Sequence, residues 1–297
     1  MKFVGENFIF LGMLVDLFSG ALKRMVGSFD ENDVYEIRLR LNRPVSVVTK
    51  NGLIKLKSDS GNFYAAKKSD MDKLVGVASD FSVYSVMDEI VSGYLRYDGG
   101  IRIGATGEGV CDGGKLISVK NFSSLIVRVP HEIIGCGEEI ARKIESQGVR
   151  NLLVLSPPNC GKTTVLRDLA RIFSTKCQTL VIDERGELAS LLDGEPMLDV
   201  GESDVIASVP KTVAYENCIR AASPELIVTD EVFKQSEIDS IVDIVRCGVR
   251  VFASVHADSM ESLEKSKGFS MLVDCFDGFA TLTNKPKMGT LKSFEKR

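Results

Sequence analysis

Apolar and polar residues follow two different rhythms along this chain, and the rhythm changes within residues 130–148. Before that stretch, short strand-like runs are set off by turn signals: Tyr35 to Leu41, Pro44 to Thr49, Gly93 to Tyr97 and Ile101 to Ala105. The turns carry Asn51-Gly52, Asp98-Gly99-Gly100 and Asp112-Gly113-Gly114, whose glycines suit tight hairpins. Helical spacing over Met71 to Phe81 and Val83 to Val91 interrupts the strands. This predicts a small α+β domain, placed at residues 1–135. At the N-terminus, Phe8 to Val15 is apolar but bracketed by Glu6 and Asp16. It is too short to span a bilayer, which takes about 20 apolar residues, and reads as a packed helix ending near Arg24.

From Arg150 onward, continuous apolar runs alternate with helical segments. Leu152 to Leu155, Leu180 to Ile182, Leu226 to Thr229 and Val249 to Val255 read as buried strands, and Thr163 to Ile172 as a helix. Strands apolar on both faces with helices between them predict a mainly parallel sheet covered on both sides, at residues 136–297. Right-handed crossovers would put the strand C-termini on one edge, where such folds bind ligands.

The chemistry concentrates at that edge. LLVL-SPPNCGKTT-VLRDLA has the strand–loop–helix order of a phosphate-binding loop. Backbone amides of the loop and of the start of the helix would wrap a polyphosphate, so the candidate nucleotide contacts are Ser156, Pro157, Pro158, Asn159, Cys160, Gly161, Lys162, Thr163 and Thr164. Lys162 would reach the β and γ phosphates of ATP, and Thr163 would offer its hydroxyl to Mg²⁺. The segment departs from G-x-x-x-x-G-K-[ST] at its first position, where Ser156 stands. In PELIVTDEV a buried strand ends in Asp230, a candidate Mg²⁺ ligand on a strand neighbouring the loop, and Glu231, a candidate base for the attacking water.

TLVIDERGEL repeats the pattern of strand running into acids, with Asp183, Glu184 and Glu187. Glu184 is a second candidate base, and Asp183 as the N-cap of a following helix is the plainer alternative. VRVFASVHADS ends in His256 with Ser254 and Ser259 beside it, a candidate sensor of the terminal phosphate.

Composition narrows the classes. A 297-residue chain with 44% apolar and 26% charged residues is long enough for two domains, and its formal charge of −4 supplies no global attraction to nucleic acid. Seven scattered cysteines and two histidines argue against a zinc site or disulfide framework and for a reducing, cytoplasmic compartment.

At these residues the chain resembles the sporulation stage III AA family of endospore-forming bacteria, a P-loop branch related to type II and type IV secretion and pilus ATPases. The resemblance is carried by EIRLRLNRP (Glu36 to Pro44), SGYLRYDGGIRIGATG (Ser92 to Gly107) and SSLIVRVPHEIIGC (Ser123 to Cys136), then by SPPNCGKTTVLRD, IDERGELA, SPELIVTDE and ASVHADS. It implies a RecA-like/AAA-type P-loop NTPase core behind the α+β domain, acting as a homo-oligomeric, hexameric ring. That ring would be peripheral at the mother-cell face of a channel to the forespore, energising or assembling its membrane-embedded proteins, with no span of its own and no nucleic acid.

The resemblance also implies catalytic roles for Glu184 and His256, and for Arg102 and Arg128 a reach toward a neighbouring subunit's nucleotide. Two residues depart from the family pattern: Asn159, where Gly is usual, and Lys234, where the family places Arg after Asp-Glu-Ile-Gly. A P-loop protein that binds nucleic acid, or a nucleotide-gated scaffold with little hydrolysis, are the alternatives.

Overall fold

A computed structural model of the chain describes residues 12–30, 33–158, 160–264 and 268–297. Asn159 and the first part of the apolar N-terminal run lie outside the described residues. The chain forms two compact units, Met1–His131 and Glu132–Arg297. Among the described residues no helix is long and apolar enough to cross a membrane.

In the first unit, β1 (Val34–Arg40), β2 (Ser46–Thr49), β3 (Gly52–Lys55), β4 (Leu95–Tyr97), β5 (Ile101–Asp112) and β6 (Lys115–Arg128) form one antiparallel sheet, ordered β3-β2-β1-β6-β5-β4. Period-two alternation puts Ile37, Leu39, Ile101, Ile103, Leu125 and Val127 on a face that buries against Leu14, Leu17 and Phe18, against Leu22 of α1 (Gly20–Val26) and against Leu74 of α2 (Lys68–Ala78). A further helix, α3 (Met87–Ser92), follows a short 3-10 turn at Val83–Val86.

The predicted strand at Ile101 to Ala105 runs on to Asp112 and pairs with β6 through a two-residue Gly113-Gly114 turn, both glycines having positive φ. The sequence reading missed β6. Its middle, Lys120-Asn121-Phe122-Ser123-Ser124, lacks alternation where a register shift between Thr106 and Glu108 interrupts the ladder with β5.

The second unit holds α4 (Glu138–Gln147), β7 (Leu152–Ser156), α5 (Lys162–Ser174), β8 (Thr179–Asp183), the short hairpin β9 (Leu191–Leu192) and β10 (Glu195–Pro196), and β11 (Asp204–Ala207). Then come α6 (Lys211–Ala221), β12 (Leu226–Thr229), α7 (Gln235–Arg246), β13 (Arg250–His256), α8 (Met260–Glu264), α9 (Ser270–Asp274), β14 (Gly278–Thr283) and β15 (Thr290–Lys296). The main sheet is ordered β11-β8-β12-β13-β7-β14-β15, parallel except for the terminal β15. Leu153, Leu155, Ile227 and Ala253 point into one core with α6, α7 and α9, while Leu152, Val154, Val228 and Phe252 point into the other with α4 and α5. This is the two-sided burial that the continuous apolar runs require.

One expectation needs correction. β12, which leads into Asp230, does not neighbour the loop strand β7, because β13 is inserted between them. β8, with Glu184 after it, lies one strand further out. Strand order depends on which hydrophobic edges meet, and the local sequence carries no record of it.

Candidate functional site

β7, wholly buried, ends at Ser156, and α5 begins at Lys162. Between them the chain turns through Gly161, whose φ of 85° admits a side chain only with strain and whose absent Cβ would lie 3.1 Å from Gly289. The Cys160 carbonyl accepts the Gly289 amide at 3.0 Å, so the loop is anchored to the β14–β15 connection. Among the described residues no side chain caps the N-terminus of α5, and its first amides face the loop with the positive end of the helix dipole.

Lys162 is buried, and its ammonium lies 3.2 Å from Ser156 O, 3.3 Å from Ser156 Oγ, 3.3 Å from Pro157 O and 2.8 Å from His256 Nδ1. The parallel register that sets His256 opposite Ser156 brings the histidine there. An ammonium can only donate, so Nδ1 accepts and the ring proton resides on Nε2, which donates to Glu231 Oε1. Glu231 Oε2 in turn accepts Arg185 Nη1 at 2.7 Å, and the Arg185 guanidinium covers the Phe233 ring.

A connected chain Lys162–His256–Glu231–Arg185 therefore crosses the strand C-termini. Burial pushes the Lys162 pKa down against the pull of Glu231. For Glu231, burial works upward, but contacts with His256, then Arg185 and Lys162, outweigh it and hold the carboxyl below its usual range.

Asp230 sits deeper, 1% exposed. Its partner is Lys211, the first residue of α6, whose equally buried Nζ lies 2.8 Å from Asp230 Oδ1. The same ammonium donates to the backbone carbonyls of Asp230 at 2.9 Å and Glu231 at 2.5 Å. The ammonium meets Oδ1 in a charge-assisted contact, while among the described residues Oδ2 has no hydrogen-bond partner. Burial raises the Asp230 pKa to about 6 despite the lysine. Sequence reasoning missed Lys211, because a lysine opening a helix has no local signature.

The second acidic segment divides its labour. Asp183 is fully buried and caps no helix. Its carboxylate accepts the amides of Glu187, Leu188, Ala189 and Ser190 at 2.6–3.1 Å and so shapes the loop after β8. That corrects the N-cap alternative, since residues 184–190 form turns and no helix follows. Glu184 accepts the Lys211 amide at 3.4 Å, and Glu187 contributes its backbone carbonyl to Arg167. Thr163 and Thr164 are half-buried on the first turn of α5. Among the described residues the buried Ser254 hydroxyl has no hydrogen-bond partner, and the Ser259 hydroxyl accepts the Ser262 amide at the start of α8.

In the first unit, antiparallel register aligns Arg96, Arg102, Arg128 and Glu36 in one rung across β4, β5, β6 and β1. Arg128 Nε lies 3.8 Å from Glu36, and Arg102 stacks on Tyr94. Arg96 lies 3.8 Å from Glu89, so two of the three arginines already face a carboxylate.

The fold has clear relatives. It is similar to the ATPase DotB of Legionella pneumophila (14% identity, 84% of this chain and 72% of that chain, TM-score 0.54) and to the pilus retraction motor PilT with bound ADP (14% identity, 84% and 74%, TM-score 0.55). At that identity the likeness establishes the secretion-ATPase fold. By sequence, the stage III sporulation protein AA of Bacillus subtilis is 30% identical over 268 residues, covering 87% of this chain and 85% of that protein. A family model for sporulation stage III, protein AA, matches residues 13–297, and the chain belongs to that family.

Proposed function

We propose that the second unit binds ATP with Mg²⁺ and hydrolyses it, and that a homo-oligomeric ring of this chain, hexameric as in the reading from resemblance, uses the turnover to energise or assemble a membrane channel during sporulation. The observation that carries this reading is the contact of the Lys162 ammonium with His256 and, through it, with Glu231 at the C-terminal edge of the parallel sheet.

The residues fit the implied ligands. Uncapped amides at Lys162 to Thr164, the left-handed Gly161 and an ammonium inside the loop suit a polyphosphate. Asp230, buried and with Oδ2 lacking a hydrogen-bond partner among the described residues, and the Thr163 hydroxyl at the start of α5 suit a divalent cation. Bound Mg²⁺ would neutralise phosphate charge. Lys162 orients the phosphates, Glu231 orients the attacking water, and His256 links the two, so that a shift of Lys162 toward phosphate frees Nδ1 and alters the hold on Glu231. In this reading Glu231 is the base and Glu184 ties the start of α6 to β8, as its contact with the Lys211 amide suggests.

Arg102 and Arg128 are assigned to the nucleotide of a neighbouring subunit, supported by their shared rung and the charge it concentrates. The assembly is placed at the mother-cell face of the channel, in the cytoplasm. A nucleotide-gated scaffold with little hydrolysis is the second reading, favoured by the Lys211 ion pair on Asp230. Steady-state ATP turnover of the purified chain beside Lys162→Ala, with nucleotide affinity measured in parallel, separates them: turnover lost in the variant supports the enzyme, and affinity with no turnover in either supports the scaffold.

A further inference from the structure

We infer that Lys211 is a tethered counter-cation for Asp230, a positioning residue that competes with the divalent ion and couples metal loading to the start of α6. The inference rests on the nucleotide reading of this edge and adds a residue to it.

Four observations converge. Both charged side chains are 1% exposed and their atoms lie 2.8 Å apart, so each charge is compensated chiefly by the other. Nζ also donates to two carbonyls, those of Asp230 and Glu231, which fixes the peptide linking the candidate metal ligand to the candidate base. Asp230 Oδ1 is engaged by the ammonium, while among the described residues Oδ2 has no hydrogen-bond partner, so its lone pairs stay available to a cation. Finally, Lys211 opens α6 and its own amide goes to Glu184, so a displaced ammonium pulls on the helix start and on the loop after β8 together.

A dication arriving at Asp230 meets a positive charge already in place. Either the ammonium withdraws from the carboxylate or the metal binds weakly. The lysine thereby keeps the acidic pair correctly oriented before any metal is present. It also makes the chain's grip on nucleotide unusually independent of Mg²⁺.

The test is equilibrium binding of a fluorescent, non-hydrolysable ATP analogue to the full chain, in excess Mg²⁺ and in excess chelator. For the wild-type chain the two dissociation constants should differ by less than about threefold, and for Lys211→Gln, which keeps a donor for the carbonyls, by at least about tenfold. Adding Asp230→Asn to Lys211→Gln should return the ratio to the wild-type range. A wild-type ratio already above about tenfold overturns the inference whether or not the variants fold, as does a folded Lys211→Gln chain with an unchanged ratio. Absence of analogue binding in both conditions removes the nucleotide reading, and this inference with it; tight binding that depends strongly on Mg²⁺ removes this inference alone.

Discussion

The Lys162 ammonium and the His256 imidazole, 94 positions apart in the chain, lie 2.8 Å apart where two parallel strands end. The pairing of His256 with Ser156 in the β13–β7 register creates that contact, and with it a route from Lys162 to Glu231. Removing the ring breaks the route without altering the loop. His256→Ala should lower ATP turnover by about 10²-fold while nucleotide affinity changes little, as read by single-turnover hydrolysis and analogue binding.

The two candidate bases are separable by their surroundings. Glu231 reaches His256 and Arg185, whereas Glu184 reaches the Lys211 amide. Glu231→Gln should therefore cost about 10²-fold or more in single-turnover rate, and Glu184→Gln distinctly less. A larger loss in Glu184→Gln would reverse the assignment.

Asp183 bears on stability. Four amides converge on its fully buried carboxylate, so Asp183→Asn turns an NH₂ group toward donors and leaves at least one amide unsatisfied. We expect about 2–4 kcal/mol of destabilisation, visible in thermal melts as a fall of about 5 °C or more.

In the first unit, His131 donates through Nε2 to the Val34 carbonyl and packs against Tyr35. Burial lowers its pKa, outweighing that hydrogen bond. The unfolded chain therefore takes up the proton first as pH falls, and the stabilisation present above the usual histidine value drains away through the lowered folded value. His131→Gln keeps an N–H donor and removes the titration. Between pH 7.5 and 5.5 the wild-type melting temperature should drop further than that of His131→Gln; parallel curves would refute the assignment.

Much of this edge was legible in the sequence because its signals are local. An apolar run into SPPNCGKTT reports strand, loop and helix within a few residues, and LIVTDE reports a buried strand delivering acids. Strand order was not legible: nothing in either segment records that β13 slides between β7 and β12. Lys211 was hidden for a related reason, since its meaning arises only when α6 buries it against Asp230. Asp183 was visible as an acid, but its role as a cage for four amides depends on a loop that doubles back instead of starting a helix. The arginine rung of the first unit likewise appears only once β4, β5 and β6 are in register.

The central claim is that the ammonium of Lys162, inside the loop closed by Gly161, serves ATP turnover. Measuring steady-state phosphate release by the purified chain and by Lys162→Ala, at matched concentration and with Mg²⁺, tests it most directly. The account predicts turnover by the wild-type chain and a loss of about 10²-fold or more in the variant. Equal rates in the two proteins would contradict it.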